Sequence, residues 1–266
     1  MAPPASWFDS SRFFSAWAQQ PWAGTVPPLA LAAEAELDST NRALWDWLAR
    51  DPVQPPAVAI ARQQRAGRGQ WGRPWQSLPG GLYLSLALPA GGRLGPLLTL
   101  AIAHRLAQVL RQRGIPVQLK WPNDLILQGR KLGGLLCEAR SRGETVQVIA
   151  GLGLNWANPV PERGISLQTW QQASGVTALP DLETLAAIAS YALWTGSAQA
   201  DPAWLEDYWQ LVAHPQGPVQ VQGQPGLALG LTPTGALRVR LQSSGRELAC
   251  QPGQVQIDYR DLAGSA

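Results

Sequence analysis

The sequence predicts a main domain of mixed helix and strand followed by a small all-β unit, and three patterns lead to that reading. Across residues 96–113 apolar side chains recur at three- and four-residue spacing (Leu98, Ile102, Leu106, Val109, Leu110), the period of a helix packed along one face. Leu82–Leu88 alternates bulky with small or polar residues, the period of a half-buried strand. Beyond His214 the chain breaks into short runs separated by glycine, at 219–221, 227–231, 237–241, 247–250 and 255–257. Five short strands at such spacing suggest a small barrel of SH3 type.

The other elements follow in chain order. Aromatics at Trp7, Phe8, Phe13, Phe14 and Trp17 predict a short amphipathic helix within 6–22, broken by Val26-Pro27-Pro28 and packed on the main domain as an extension. Residues 29–33 read as the first strand. Asp38-Ser39-Thr40-Asn41 offer side-chain caps to a helix over 42–50, since short polar side chains accept from the N–H groups a first turn leaves unpaired. Pro55 and Pro56 lead into a strand at 57–61, which runs straight into a glycine- and arginine-rich loop. Gly114 and Pro116 stop the long helix. Strands are expected at 117–121, 125–127, 132–139 and 146–155, with Gln128-Gly129-Arg130 turning two of them into a hairpin. Helices return at 182–194, capped by Asp181, and at 202–212, where Pro202 suits a first turn. The expected divisions are an extension at 1–28, a main domain at 29–212 and the small unit at 213–266.

Composition narrows the function classes. With 266 residues, 45% of them apolar, the chain can bury a sizeable core. A net charge of +3 with 15% charged residues is too mild for a nucleic-acid footprint, so DNA is not an expected partner. Cys137 and Cys250 stand far apart without a CxxC or a histidine partner, which argues against a disulfide framework and against zinc and fits a reducing, cytoplasmic setting. No apolar run is long enough to span a bilayer, and residues 1–28 lack the basic-then-apolar order of a secretory signal. His104 falls on the long helix and His214 in the connection to the small unit, neither beside a Ser or Cys that would make a triad.

The chemistry-bearing residues cluster in a few motifs. In Gly67-Arg68-Gly69-Gln70-Trp71-Gly72-Arg73-Pro74-Trp75 the glycines let backbone N–H groups turn inward while two arginines add fixed charge, which suits phosphate or carboxylate. An ordinary surface turn with solvated arginines reads the same way. Lys131 enters the strand Leu132-Gly133-Gly134-Leu135-Leu136; in a partly dry site it stays charged only against an anion, and otherwise it reaches out to water. The glycines of Gly151-Leu152-Gly153-Leu154-Asn155 mark either close approach of a ligand or a bulge. Ser39, Thr40, Asn41 and Gln64 are either a helix cap with a loop glutamine or neutral groups that orient an uncharged polar head such as a ureido ring.

In order, Asp38-Ser39-Thr40-Asn41, Gln64-Arg65-Ala66-Gly67-Arg68-Gly69, Trp75, Lys120-Trp121-Pro122-Asn123-Asp124, Arg130-Lys131-Leu132-Gly133-Gly134 and Gly151-Leu152-Gly153-Leu154-Asn155 closely resemble the motifs of biotin–protein ligases, from about Ala33 to Gln172. The resemblance implies an α+β catalytic domain built on a mixed β-sheet, of the class II synthetase and lipoate-ligase type, with a small C-terminal SH3-like β-barrel. It implies a two-step reaction. Biotin and MgATP give biotinyl-5′-AMP and pyrophosphate, and a lysine of a biotin carboxyl carrier protein, as in acetyl-CoA carboxylase, then attacks the acyl-adenylate. It also implies a monomer or homodimer.

By the same resemblance Lys131 stabilises the carboxylate and the developing phosphorane charge, and Arg68 with the Gly67 and Gly69 backbone folds over the ligand. Asp124 positions either Mg²⁺ or the incoming amine. Ser39, Thr40, Asn41, Gln64, Gly67, Arg68, Trp75, Lys131, Gly134 and Gly151 fall on the biotin side. Arg68, Gly69, Gln70, Arg73, Asn123, Lys131 and Asn155 fall on the nucleotide side. Mg²⁺ is expected to arrive with ATP rather than in a protein cage. Because an acyl-adenylate hydrolyses readily, the loop should be mobile when empty and close on binding. Repressor members carry a helix-turn-helix domain ahead of the catalytic one, and residues 1–28 are too few for it, so a ligase without transcriptional function is expected.

One departure from the family pattern stands out. Many members have a basic residue where this loop has Gln70 or Trp71, which implies weaker retention of the intermediate here. Two rivals rank lower. A lipoate or octanoate ligase would carry a run of glycines followed by histidine, absent between Gly67 and Leu82. An RNA-binding module built on the basic, tryptophan-interleaved loop leaves Trp121-Pro122-Asn123-Asp124 without a task.

Overall fold

The computed structural model describes residues 7–50, 56–89, 96–142, 145–199 and 203–258; Pro55, Pro202 and the end of the small unit, assigned above, lie outside them. Seven strands form the main sheet in the order β1 (Ala30–Leu37), β2 (Ala57–Gln64), β3 (Leu82–Leu88), β7 (Thr145–Leu154), β6 (Arg130–Arg142), β5 (Asp124–Leu127), β4 (Gln118–Lys120). β1 and β2 run parallel and every other neighbouring pair is antiparallel, so the sheet is mixed as expected.

The period-two pattern decides what each face holds. On β2, Val58 and Ile60 join Leu82, Leu84, Leu86 and Leu88 of β3 in the principal core, under α3 (Pro96–Arg111) and α5 (Leu182–Ser197). Burying one such leucine contributes about 1.5–3 kcal/mol. The opposite face presents the small Ala57, Ala59 and Ala87, and this leaves room for Leu44, Trp45 and Leu48 of α2 (Thr40–Arg50). β3 is therefore buried on both faces rather than half-buried, because it lies inside the sheet between β2 and β7 with helices on either side.

The N-terminal segment forms α1 (Ser10–Ala18), capped by Asp9, whose carboxylate accepts from the N–H groups of Ser11 and Arg12 at 2.9 and 3.2 Å. α1 packs on α5. Trp22 lies edge-on to both Trp17 and Tyr191, with centroids 4.4 and 4.8 Å apart, and Tyr191 donates to the Pro21 carbonyl. Here tryptophan supplies a function phenylalanine lacks: Trp17 and Trp22 donate their indole N–H groups to the carbonyls of Pro27 and Trp17.

Several boundaries differ from the sequence reading. α2 starts at Thr40, before the expected first residue, because Thr40 and Asn41 turn their side chains into the protein instead of capping. A helix missed by periodicity, α4 (Leu167–Ser174), is bounded by Ser166, whose hydroxyl accepts from Thr169 N–H, and by left-handed Gly175. α6 (Trp204–Gln210) ends just ahead of residues 211–213, which run beside β4.

The C-terminal strands β8 (Pro218–Val221), β9 (Gln224–Leu231), β10 (Leu237–Leu241), β11 (Glu247–Cys250) and β12 (Val255–Gln256) form an antiparallel sheet in the order β11-β10-β9-β8-β12. The edge strands β11 and β12 share no ladder, so among the described residues this is an open sheet and not a closed barrel. Its buried Leu237, Val239 and Leu241 belong to the same apolar cluster as the main core, and Trp121 donates to the Gly235 carbonyl across the junction.

His214 sits at that junction, 2% exposed, with neither ring nitrogen hydrogen-bonded. Burial, reinforced by the charge of Lys120, pushes its pKa from 6.5 down to about 4. The unfolded chain therefore binds the extra proton between those values, so the penalty is absent above pH 6.5 and grows as pH falls toward 4. Urea unfolding at pH 7 and pH 5 should show a stability loss that is smaller by about 2 kcal/mol in His214→Leu. An equal loss in both proteins would refute this.

Candidate functional site

A cavity of about 780 Å³ opens on one face of the main sheet between the loop of residues 67–75, the β4–β5 turn and the first turn of α2, with residues 252–257 of the C-terminal unit at its edge. Its floor is sheet backbone. On β6 and β7, Gly134 pairs with Gly153 and Leu136 with Gly151, so the face toward the cavity is almost bare of side chains. That bareness is required by what lies over it. A Cβ on Gly151 would overlap the Asn41 amide, and one on Gly153 would overlap the Trp75 indole. A Cβ on Gly134 would come 3.1 Å from Asp124 Oδ1 and 3.6 Å from Lys131 Cε.

One end of this trough is neutral and polar. Thr40 N–H donates to Gln64 Oε1 at 2.8 Å, and the Gln64 amide donates to Ser77 Oγ at 2.8 Å. The buried Ser85 hydroxyl lies 2.7 Å from Thr40 Oγ1 and 2.6 Å from Asn41 Oδ1, while Asn41 Nδ2 donates to Glu138 at 2.6 Å. Each side chain is thereby locked in one rotamer, which sets donors and acceptors in fixed directions. Ser39, Thr40, Asn41 and Gln64 all line the cavity.

The other end is cationic. Lys131 Nζ lies 2.6 Å from Asp124 Oδ1 and 5.2 Å from the centre of the Trp75 ring, and Lys120 Nζ lies 3.7 Å from Asp124 Oδ2. Lys131 does meet an anion, but it is a protein carboxylate. Desolvation pulls the Lys120 pKa below its ordinary value and Asp124 pulls the other way, while Lys131 and Arg73 add to the lowering. Arg68 and Arg73 line the cavity from its rim with exposed side chains.

The loop is a small hairpin. Gly69 N–H donates to the Arg73 carbonyl at 2.8 Å and Trp75 N–H to the Gly67 carbonyl at 2.9 Å, around a single 3-10 turn at Gln70–Gly72. At its tip Trp71 adopts a left-handed φ of 61° and is 63% exposed. A Cβ on Gly253 would sit 2.9 Å from Trp71 Cζ2, so the indole rests against the C-terminal unit.

Of the residues assigned from sequence to the biotin side, the nucleotide side or the chemistry, Gly67 alone is absent from the cavity wall. It sits at the base of the hairpin, where a Cβ would meet Ser77 Oγ at 2.5 Å and the Trp75 carbonyl at 2.6 Å, so its lack of a side chain serves packing. Asn123 and Asn155 do reach the cavity, with amide N–H groups donated to the carbonyls of Leu135 and Lys131 at 2.7 and 3.2 Å. Asn158 in turn donates to Asn155 Oδ1. The Asn123 and Asn155 bonds both end on β6, the strand that carries Lys131. The sequence assigns no role to Lys120, Asn158, Arg163, Pro252, Gly253 or residues 255–257, all on the wall. Lys120 stands inside a motif already quoted; for the others no local signal exists.

Among the described residues no three His, Cys, Asp or Glu side chains gather into a metal site. Asp124, the carboxylate on the cavity wall, faces two ammonium groups, so the residues present do not fit a protein-held Mg²⁺. No helix among the described residues is long and apolar enough to cross a membrane.

Comparison with known proteins agrees with this geometry. The bifunctional ligase/repressor BirA of Escherichia coli is 40% identical over 159 residues, covering 57% of this chain and 48% of that protein. The biotin–[acetyl-CoA-carboxylase] ligase of Paracoccus denitrificans is 39% identical over 137 residues, covering 49% of this chain and 55% of that protein. The chain thus matches about half the length of these relatives. Among solved structures, the biotin protein ligase of Aquifex aeolicus in complex with biotin and ATP superposes with a TM-score of 0.65 at 24% identity, covering 85% of this chain and 97% of that one; this likeness speaks for the fold. The biotin/lipoate A/B protein ligase family matches residues 34–155, the stretch that supplies the bare sheet, the arginine loop and both lysines. Residues 34–155 are therefore a biotin/lipoate A/B protein ligase domain.

Proposed function

We propose that this chain is a biotin–protein ligase that activates biotin with MgATP and transfers it to a lysine of a biotin carboxyl carrier protein, such as that of acetyl-CoA carboxylase. The observation that carries this reading is the polarity of the trough. It has neutral hydrogen-bonding groups at one end, a glycine floor between, and two lysines with two rim arginines at the other. An acyl-adenylate has matching parts: a ureido ring, an apolar acyl chain and a phosphate. The polar end formed by Thr40, Asn41 and Gln64 suits a ureido ring better than the apolar dithiolane ring of lipoate.

In the first step a biotin carboxylate oxygen attacks the α-phosphorus of ATP, the bond to the β-phosphate oxygen breaks, and pyrophosphate leaves. At an effective dielectric of about 20, two unit charges about 4 Å apart repel by roughly 4 kcal/mol, so fixed cations are needed before the atoms can meet. Lys131 is assigned to the carboxylate and the phosphorane charge, and Arg68 to the phosphate as the loop covers it. In the second step the carrier lysine's neutral amine attacks the acyl carbon, the carbon–oxygen bond to AMP breaks, and the amine loses a proton. No enzyme nucleophile is required. Gly69, Gln70, Arg73, Asn123 and Asn155 are assigned to the nucleotide, and Ser39, Thr40, Asn41, Gln64, Trp75, Gly134 and Gly151 to biotin.

Residues 29–212 are assigned as the catalytic domain, with 1–28 an extension. Residues 213–266 are assigned as an SH3-like unit, a reading supported by a five-stranded meander whose last strand returns to pair with the first. The placement of 252–257 on the cavity wall supports a share for this unit in the site.

Three measurements test the reading. Biotin-dependent ATP–pyrophosphate exchange should be present in the unmutated chain and fall by about 10²-fold or more in Lys131→Ala, with circular dichroism unchanged. Exchange that survives the mutation excludes Lys131 from the chemistry. Gly151→Ala pushes the Asn41 amide out of place and should raise the KM for biotin by roughly tenfold; a KM like that of the parent would remove Asn41 from the biotin side. Gln70→Arg should slow release of biotinyl-5′-AMP in stopped-flow displacement, and an unchanged off-rate would count against a retaining role at this position.

A further inference from the structure

Of the cavity cations that the two-step reaction leaves without a task, Lys120 and Arg163, Lys120 is the one largely shielded from solvent. It ends β4 and pairs in register with Asp124, the first residue of β5, across the Trp121-Pro122-Asn123 turn. One carboxylate thus faces two ammonium groups, with Lys131 at 2.6 Å on Oδ1 and Lys120 at 3.7 Å on Oδ2.

The two lysines are held differently. Lys131 is 29% exposed, stands at a register shift in the β5–β6 ladder, and has Gly134 beside its Cε, so it has space to swing toward a ligand. Lys120 is 14% exposed and lies on a strand hydrogen-bonded on both sides. Leu119 donates to the Leu211 carbonyl and accepts from Ala213 N–H, at 2.7 and 2.8 Å, and this brings the uncharged His214 close behind. A long, desolvated side chain on a doubly bonded strand is a fixed charge.

An anionic substrate that draws Lys131 away would strip Asp124 of its nearest counter-charge just as a second negative group enters the cavity. Resting on the ligase reading, we propose that Lys120 is a positioning residue for Lys131: a resident counter-ion that keeps Asp124 neutralised, freeing Lys131 to move onto the substrate carboxylate and phosphate. Lys120 touches no reacting atom in this role. Its effect passes through Asp124 and disappears if that carboxylate is removed.

A double-mutant cycle tests this on the full chain by biotin-dependent pyrophosphate exchange. Lys120→Met keeps the stem without the charge and should lower kcat about tenfold with the KM for biotin changed less than about threefold, and Lys120→Arg should regain most of the loss. In an Asp124→Asn background the same Lys120→Met change should cost less than about twofold more. Equal losses in both backgrounds, or an undiminished kcat in Lys120→Met, overturn the proposal. If Asp124→Asn alone exchanges too slowly to follow, the cycle is read on binding of a non-hydrolysable biotinyl-adenylate analogue by tryptophan quenching. Non-additive losses there support the proposal and additive ones overturn it. Absence of exchange in the unmutated chain overturns the ligase reading itself, whereas exchange there with an additive cycle overturns the role of Lys120 alone.

Discussion

The carboxylate of Asp124, shared between two lysine ammonium groups, is the interaction around which the cavity is organised. Burying two cations side by side is unfavourable because each loses water and repels the other, and a single anion between them lowers both costs. The arrangement holds two positive charges in a half-dry site. It also explains why the β4–β5 hairpin is so short: the turn must set Asp124 directly opposite Lys120, within reach of Lys131 on the next strand.

The bare glycine floor is the second half of that organisation. Charge stored on a sheet is useful only where a ligand can lie against the sheet, and one methyl group at Gly134, Gly151 or Gly153 would touch or displace Asp124, Asn41 or Trp75. Indole and amide groups occupy the space above the backbone without filling the trough. The same tolerance lets the loop hairpin fold down at Trp75, while Trp71 at its tip rests against Gly253. Among the described residues the C-terminal unit is an open sheet, and its turn before β12 lies on the cavity wall.

Much of this was legible in the sequence because it is local. The 3.6-residue period of α3, the alternation in β3 and the cap at Asp181 depend on neighbouring residues only, and each element appears where the pattern puts it. Where a residue had a second option the reading slipped. Thr40 and Asn41 look like helix caps but reach inward to Gln64, Ser85 and Glu138, partners up to 97 positions away. Gly67 looks like a ligand-facing glycine yet packs against Ser77. Helix α4 was overlooked because its apolar face is narrow, with only Leu167 and Trp170 buried.

Taken by itself, the sequence determined most of the element types, the cationic and glycine-rich character of the 67–75 loop, and the presence of side-chain-free positions at 134, 151 and 153 on the strands. These follow from side-chain chemistry and short-range spacing. Only the tertiary structure decided that Lys120 and Lys131 share one carboxylate, that a polar network stiffens the neutral end, and that the turn at 252–257 closes the edge. Those relations join residues from distant parts of the chain, and their distances exist only after the sheet has set its strand order.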